Sequence, residues 1–159
     1  MADQRDVPER ARLTIKRAEL RDYDAIVALF REAEWRAPAN AGEFWIARRA
    51  IDSVAAAQIL DAPAGYAYLE AIVVTRDARR SGVGTRLLET LIAVRDTDWW
   101  LECREELVPF YLPHGFAIAD DREVPDWARA QVGTRPRTIT FMRRLRACGE
   151  GIRERQDVV

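Results

Sequence analysis

Val73-Val74-Thr75-Arg76-Asp77-Ala78-Arg79-Arg80-Ser81-Gly82-Val83-Gly84-Thr85-Arg86-Leu87-Leu88 is the stretch from which the fold is read. It runs from the end of an apolar strand, through a basic loop with two glycines, into a helix. The helix spans Gly82 or Val83 to Val94, because Val83, Leu87, Leu88, Leu91 and Val94 recur at the spacing of one helical face. The first amides of a helix have no partner within it, and the peptide dipoles make that end attractive to anions. Gly82 and Gly84 carry no Cβ, so a phosphate can approach the backbone closely. Arg79 and Arg80 add charge at the same end. A pyrophosphate suits this loop. The dinucleotide-binding pattern would need a small residue where Leu87 stands, and the P-loop would need a lysine that is not there. Glycines that serve only helix packing are the alternative.

Upstream, Tyr66 to Val74 reads as a strand, rich in aromatic and β-branched residues. Asp61-Ala62-Pro63-Ala64-Gly65 is a hairpin loop before it. Ser53 to Leu60 is ambiguous: its alanines favour a helix, but the hairpin loop assigns it to a strand. Phe44 to Arg48 is a short strand and Leu13 to Ala18 a weak first one. Asp22 to Glu34 is a helix with Asp22 as its cap and Ile26, Val27, Phe30 and Ala33 on one face. Downstream come a strand at Trp99 to Cys103, a short helix at Glu105 to Leu112 ended by Gly115, and a strand at Phe116 to Ala119. Asp120 to Pro136 reads as a surface loop, and Arg137 to Leu145 as a half-buried last strand. The order is that of an α/β (α+β) domain with a mixed sheet. One domain is expected at 13–146, with polar tails at 1–12 and 147–159.

Composition narrows the function. The 159 residues suit one core, and 48% hydrophobic with 32% charged residues is a soluble globular profile. A net charge of -1 supplies no basic field for nucleic acid. His114 is the only histidine, and Cys103 and Cys148 lie far apart, so no metal site is expected. No apolar run reaches membrane-spanning length, and Met1 to Arg12 lacks the apolar core of a signal peptide. A cytoplasmic protein with reduced thiols is expected.

Arg79-x-x-Gly82-x-Gly84 resembles the Gln/Arg-x-x-Gly-x-Gly/Ala signature of the GNAT superfamily of acyl-CoA-dependent N-acetyltransferases. Tyr68-Leu69-Glu70-Ala71-Ile72-Val73-Val74 resembles that family's fourth strand. Pro109-Phe110-Tyr111-Leu112-Pro113-His114-Gly115-Phe116 resembles its Phe-Tyr-x-x-x-Gly-Phe segment. The resemblance covers roughly Leu13 to Leu145. It implies a mixed sheet splayed between the fourth and fifth strands and flanked by helices, with acetyl-CoA as co-substrate in the gap. Its pantetheine would pair with Ile72, Val73 and Val74. Its pyrophosphate would sit on the amides of Arg80, Ser81, Gly82, Val83, Gly84 and Thr85, beside Arg79. Arg104 stands where many members have asparagine, and Pro113-His114 where lysine and an apolar residue are common.

The resemblance also implies roles for two side chains. Tyr111 occupies the position of the family's general acid, and a phenol pKa of roughly 10 suits protonation of an alkyl thiolate. A tyrosine packed for structure alone is the alternative. Glu70 is a lone acid in an apolar strand, expected on the same face as Tyr68 and Ile72 and facing the cleft as a general base. A solvent-facing charge is its alternative. His114 reads as a turn residue and Cys103 as buried packing. Glu32, Glu34, Glu43, Asp120, Asp121, Glu123 and Asp126, with Trp35 and Trp127, would line the acceptor side. These acids suit a cationic amine, though Arg31, Arg36, Arg122 and Arg129 offset them. The leading expectation is acetyl transfer to a primary amine, small or peptidic, by direct attack. A non-catalytic acyl-CoA sensor or interaction module of the same fold is the alternative, and a homodimer stays open.

Overall fold

The computed structural model describes residues 12–36, 38, 40–132 and 138–146. The two expected tails therefore fall outside it, apart from Arg12. Its elements in chain order are β1 (Leu13–Arg17), α1 (Tyr23–Glu32), β2 (Glu43–Arg49), β3 (Asp52–Asp61), β4 (Ala67–Val74), α2 (Val83–Val94), β5 (Trp99–Arg104), α3 (Val108–Tyr111), β6 (Ala117–Ile118), α4 (Asp126–Val132) and β7 (Ile139–Arg144). Seven strands form one sheet in the order β1-β2-β3-β4-β5-β7-β6. β4 and β5 are parallel, as a strand–helix–strand connection through α2 requires, and every other pair is antiparallel.

The ambiguous alanine stretch is β3. Ala55, Ala56 and Ala57 are wholly buried, with Ala55 and Ala57 in the cluster under α2 and Ala56 in the cluster under α1. Side chains this small let a helix approach each face, and that packing outweighs their helix propensity. α2 packs on one face through Val83, Leu87, Leu88 and Leu91, over Leu69, Trp99, Leu101 and Met142. The opposite face carries two separate clusters. Ile26, Leu29 and Phe30 of α1 cover Ile46, Ala56, Ala71 and Val73. Val124 and Ala128 cover Tyr68, Trp100 and Phe141.

Three expectations change. Asp120 to Pro136 is not all loop: a 3-10 turn covers Asp121–Glu123 and α4 follows. Pro125-Asp126 at its start and the buried Ala128 fit a short helix that exists by packing on Trp100. Asp22 does not cap α1 with its side chain. Its carboxylate accepts from the Glu19 amide at 2.9 Å and pairs with Arg48 at 2.7 Å and Lys16 at 3.3 Å. The short helix expected over Glu105 to Leu112 is α3 between 3-10 turns at Glu105–Leu107 and Leu112–His114, and Gly115 at φ 83° ends it.

Candidate active site

β4 and β5 are joined only at Ala67/Trp99, Tyr68/Trp100 and Leu69/Leu101. Past Leu69 they continue to Val74 and Arg104 without pairing, so the sheet opens between them. Ile72, Val73 and Val74 pair with Ala57, Ala56 and Ala55 of β3, and their other edge borders the gap. An open strand edge accepts an extended ligand by hydrogen bonding. The start of α2 stands at the wide end of this gap. Gly82, at φ 80°, is the residue before the helix, and no side chain caps the turn formed by Val83, Gly84 and Thr85. Its amides are free to meet an anion.

The rest of the loop is braced. Arg79 donates from Nε to the Val74 carbonyl at 3.1 Å, which ties the loop to the end of β4. Arg80 has φ 58°, in the left-handed region. The Ser81 hydroxyl donates to the Ala78 carbonyl at 2.5 Å and accepts from Arg49 Nη2 at 3.0 Å. Val83 is buried in the core, so it offers only its backbone to a ligand. A Cβ placed on Gly84 would stand 3.5 Å from Val74 and 3.6 Å from the Phe110 ring. The ends of β4, α2 and α3 thus converge at Gly84.

Tyr111 enters this region from α3. It is buried in the core beside Val108, Cys103 and Leu87, with its ring edge-on to Phe110 and Phe116. Burial pushes its phenol pKa upward, and the neighbouring Cys103 adds to the shift. The phenol therefore stays protonated throughout the physiological range. Burial also raises the Cys103 thiol to about 11, helped by Glu102 and Glu106. A neutral buried thiol packed against Met142 matches the packing role.

Glu70 is set by a break in the β3–β4 register. Leu69 pairs with Ile59 and Ala71 with Gln58, so Glu70 is the extra residue of a β-bulge. This corrects the expected facing: Ile72 lies with Leu69 in the cluster under α2, while Tyr68 lies in the cluster on the other face. Glu70 is 8% exposed, which rules out a solvent-facing charge. One carboxylate oxygen pairs with Arg36, on the loop after α1. The other, Oε2, is buried without a hydrogen-bond partner, as is the Tyr68 hydroxyl. Trp127 of α4 sits edge-on to both Tyr68 and Trp100 nearby.

A family model described as an acetyltransferase (GNAT) domain matches residues 40–118, about half of the chain. The chain belongs to the GNAT superfamily of acetyltransferases. Solved structures agree with it in fold. N-acetylglutamate synthase from Neisseria gonorrhoeae, complexed with coenzyme A and N-acetyl-glutamate, superposes with a TM-score of 0.72 at 20% identity over 87% of this chain. This chain spans 36% of that longer protein. The ribosomal-protein-S18-alanine N-acetyltransferase from Escherichia coli gives 0.69 at 21% identity, covering 89% of this chain and 99% of its own. A GNAT acetyltransferase from Staphylococcus aureus gives 0.65 at 14% identity, covering 84% and 99%. No curated protein sequence matches the chain.

The splayed mixed sheet expected of a GNAT protein is present. Sequence reasoning missed Arg36 as the partner of Glu70, and nothing local announces a contact across that distance. It also missed Phe110 as the wall beside Gly84, although Phe110 lies inside the Phe-Tyr motif. Several acids expected to draw a cationic amine are already engaged. Glu32 accepts from the Arg76 amide, Glu43 from Trp45, Asp120 binds Arg122, and Glu123 binds Arg143. His114 closes a 3-10 turn, with Nδ1 3.9 Å from Glu89. Arg104 reaches Glu106 at 4.0 Å. Among the described residues no helix is long and apolar enough to cross a membrane, and no three potential metal ligands cluster.

Proposed function

We propose that this GNAT protein transfers the acetyl group of acetyl-CoA to a primary amine by direct attack, without an acyl-enzyme. The observation that carries the reading is the β4–β5 opening, with an uncapped helix start at its wide end and a protonated Tyr111 packed beside that start. The fit to acetyl-CoA is chemical. The edge of Ile72, Val73 and Val74 offers backbone groups to the pantetheine amides. The turn from Ser81 to Thr85 offers amides to the pyrophosphate, with Arg79 and Arg80 supplying positive charge. Arg79 is already engaged through Nε, so its part is to hold the loop to β4 while its charge faces the phosphates. The CoA complex of the Neisseria gonorrhoeae relative supports this choice of donor.

Acetyl-CoA supplies an activated thioester carbonyl when bound. The amine nitrogen forms a bond to that carbonyl carbon, and the carbon–sulfur bond breaks. Glu70 takes the proton that the ammonium must lose, through its unpartnered oxygen or a water. Tyr111 gives its phenolic proton to the departing thiolate. After attack the nitrogen sheds its second proton, which replaces the one Tyr111 gave up, and Glu70 returns its own to solvent, so the products are the N-acetyl amine and free CoA thiol with one proton released overall. A cytoplasmic setting goes with this reading, since the buried free thiol of Cys103 needs no oxidising compartment.

The test is release of CoA thiol from acetyl-CoA across a panel of amines, with acetylated product identified by mass. Amine-dependent release sustains the reading. Tight CoA binding without release for any amine would favour the sensor.

A further inference from the structure

We propose that the acceptor is an amine that also carries a carboxylate, and that Arg36 is the residue that selects it. The inference rests on the acetyl-transfer reading and names the substrate class for that same site. The Glu70 side chain is 5% exposed, yet its partner Arg36 is 46% exposed on the loop after α1. The base is thus held from the solvent side by a guanidinium that can swing outward. Beside this pair the site is unfinished. Glu70 Oε2 and the Tyr68 hydroxyl are both buried and both lack a hydrogen-bond partner. Such groups destabilise the fold until a ligand completes them. An ammonium brings three donors and suits a carboxylate or a hydroxyl oxygen.

A simple cation meets an obstacle here. It would compete with Arg36 for Glu70, leaving the guanidinium unpaired beside a second positive charge. A molecule with both signs avoids this, because its ammonium goes to Glu70 and Tyr68 while its carboxylate takes Arg36. One ion pair is exchanged for two, and Glu70 is released from the guanidinium when the proton must move. The neighbouring loops offer little to a polycation, since Glu32, Glu43, Asp120 and Glu123 are engaged within the protein. Trp127 sits edge-on to both Tyr68 and Trp100 and gives the Tyr68 side an apolar wall.

Two sets of probes of matched length test this: 4-aminobutyrate, n-butylamine and putrescine, then glycine and ethanolamine. The parent enzyme should favour the carboxylate-bearing member of each set in kcat/KM by about ten-fold or more, as a charge-assisted contact implies. Arg36→Gln should collapse that ratio toward unity through KM, Arg36→Lys should restore part of it, and Arg36→Glu should turn preference to putrescine. Coenzyme A affinity of each variant reports correct folding. Preference of the parent for putrescine or n-butylamine overturns the proposal, as does an Arg36→Gln loss equal for every acceptor. Calorimetry on coenzyme A-loaded protein separates this from the catalytic reading. Arg36-dependent binding of 4-aminobutyrate or glycine without turnover sustains the selectivity and sinks the chemistry. Turnover without carboxylate preference does the reverse. Neither binding nor turnover of the carboxylate-bearing probes overturns the proposal.

Discussion

Tyr111→Phe keeps a ring that is edge-on to Phe110 and Phe116 and deletes one hydroxyl. The change leaves the ring's packing in the core beside Val108 and Phe116 intact. The stability change should stay under about 1 kcal/mol, or roughly 2–4 °C in melting temperature for a chain of this size. The rate should respond far more. A positioned acid contributes on the order of 10²–10⁴-fold, which is about 2.7–5.5 kcal/mol of transition-state stabilisation. The burial that raises the Tyr111 pKa also sets the parent's pH profile. The phenol stays protonated past its ordinary range, so turnover should show no alkaline loss from Tyr111 up to about pH 10. The assay is thiol release at saturating acetyl-CoA, with melting temperature and CoA affinity measured on the same preparation. A destabilised variant that turns over at the parental rate would refute the acid role and assign Tyr111 to packing.

The remaining predictions concern the loop, the base and the fold. Gly84→Glu should abolish CoA binding by calorimetry, since its carboxylate enters the phosphate site, while Gly84→Ala should keep most affinity because its Cβ meets Val74 and Phe110 only at ordinary contact distance. Unchanged affinity in folded Gly84→Glu would remove the loop from the binding site. Glu70→Gln should slow turnover most below neutral pH, where the amine needs most help losing its proton, and leave CoA affinity near the parent's. A pH–rate profile identical to the parent's would exclude Glu70 as base. Asp22 is held from 3.8 down to about 2, by the Glu19 amide first and then by Arg48 and Lys16, against the opposing effect of burial. Because the folded value is the lower one, its stabilisation of about 2 kcal/mol is present above pH 4 and fades as pH falls toward 2. Urea unfolding of Asp22→Asn should show that loss at pH 7 and a flatter acid limb. Equal acid limbs in parent and variant would contradict it.

Which features were legible in the chain follows from how far apart their determinants lie. The glycine-bearing loop before α2, the amphipathic face of α2 and the strand before them are each specified by neighbours within a dozen residues. Spacing alone therefore identified Gly82, Gly84 and Leu87, and with the Phe-Tyr segment it led to the family. The aromatic and β-branched residues of Tyr66 to Val74 likewise marked a strand, and regular alternation along it set the expected face of Glu70. It failed at Glu70, because a bulge depends on the register of β3, and one extra residue there moves Ile72 to the other face from Tyr68. α4 was missed because so short a helix is held by packing on Trp100 more than by its own residues. The pairing of Arg36 with Glu70 joins two segments that meet only when the loop after α1 folds over β4. Residue types and local periodicity thus determined the loop at the start of α2 and the order of elements. Burial, register and the partner of Glu70 were decided by the tertiary structure, because each depends on which distant residues share one space.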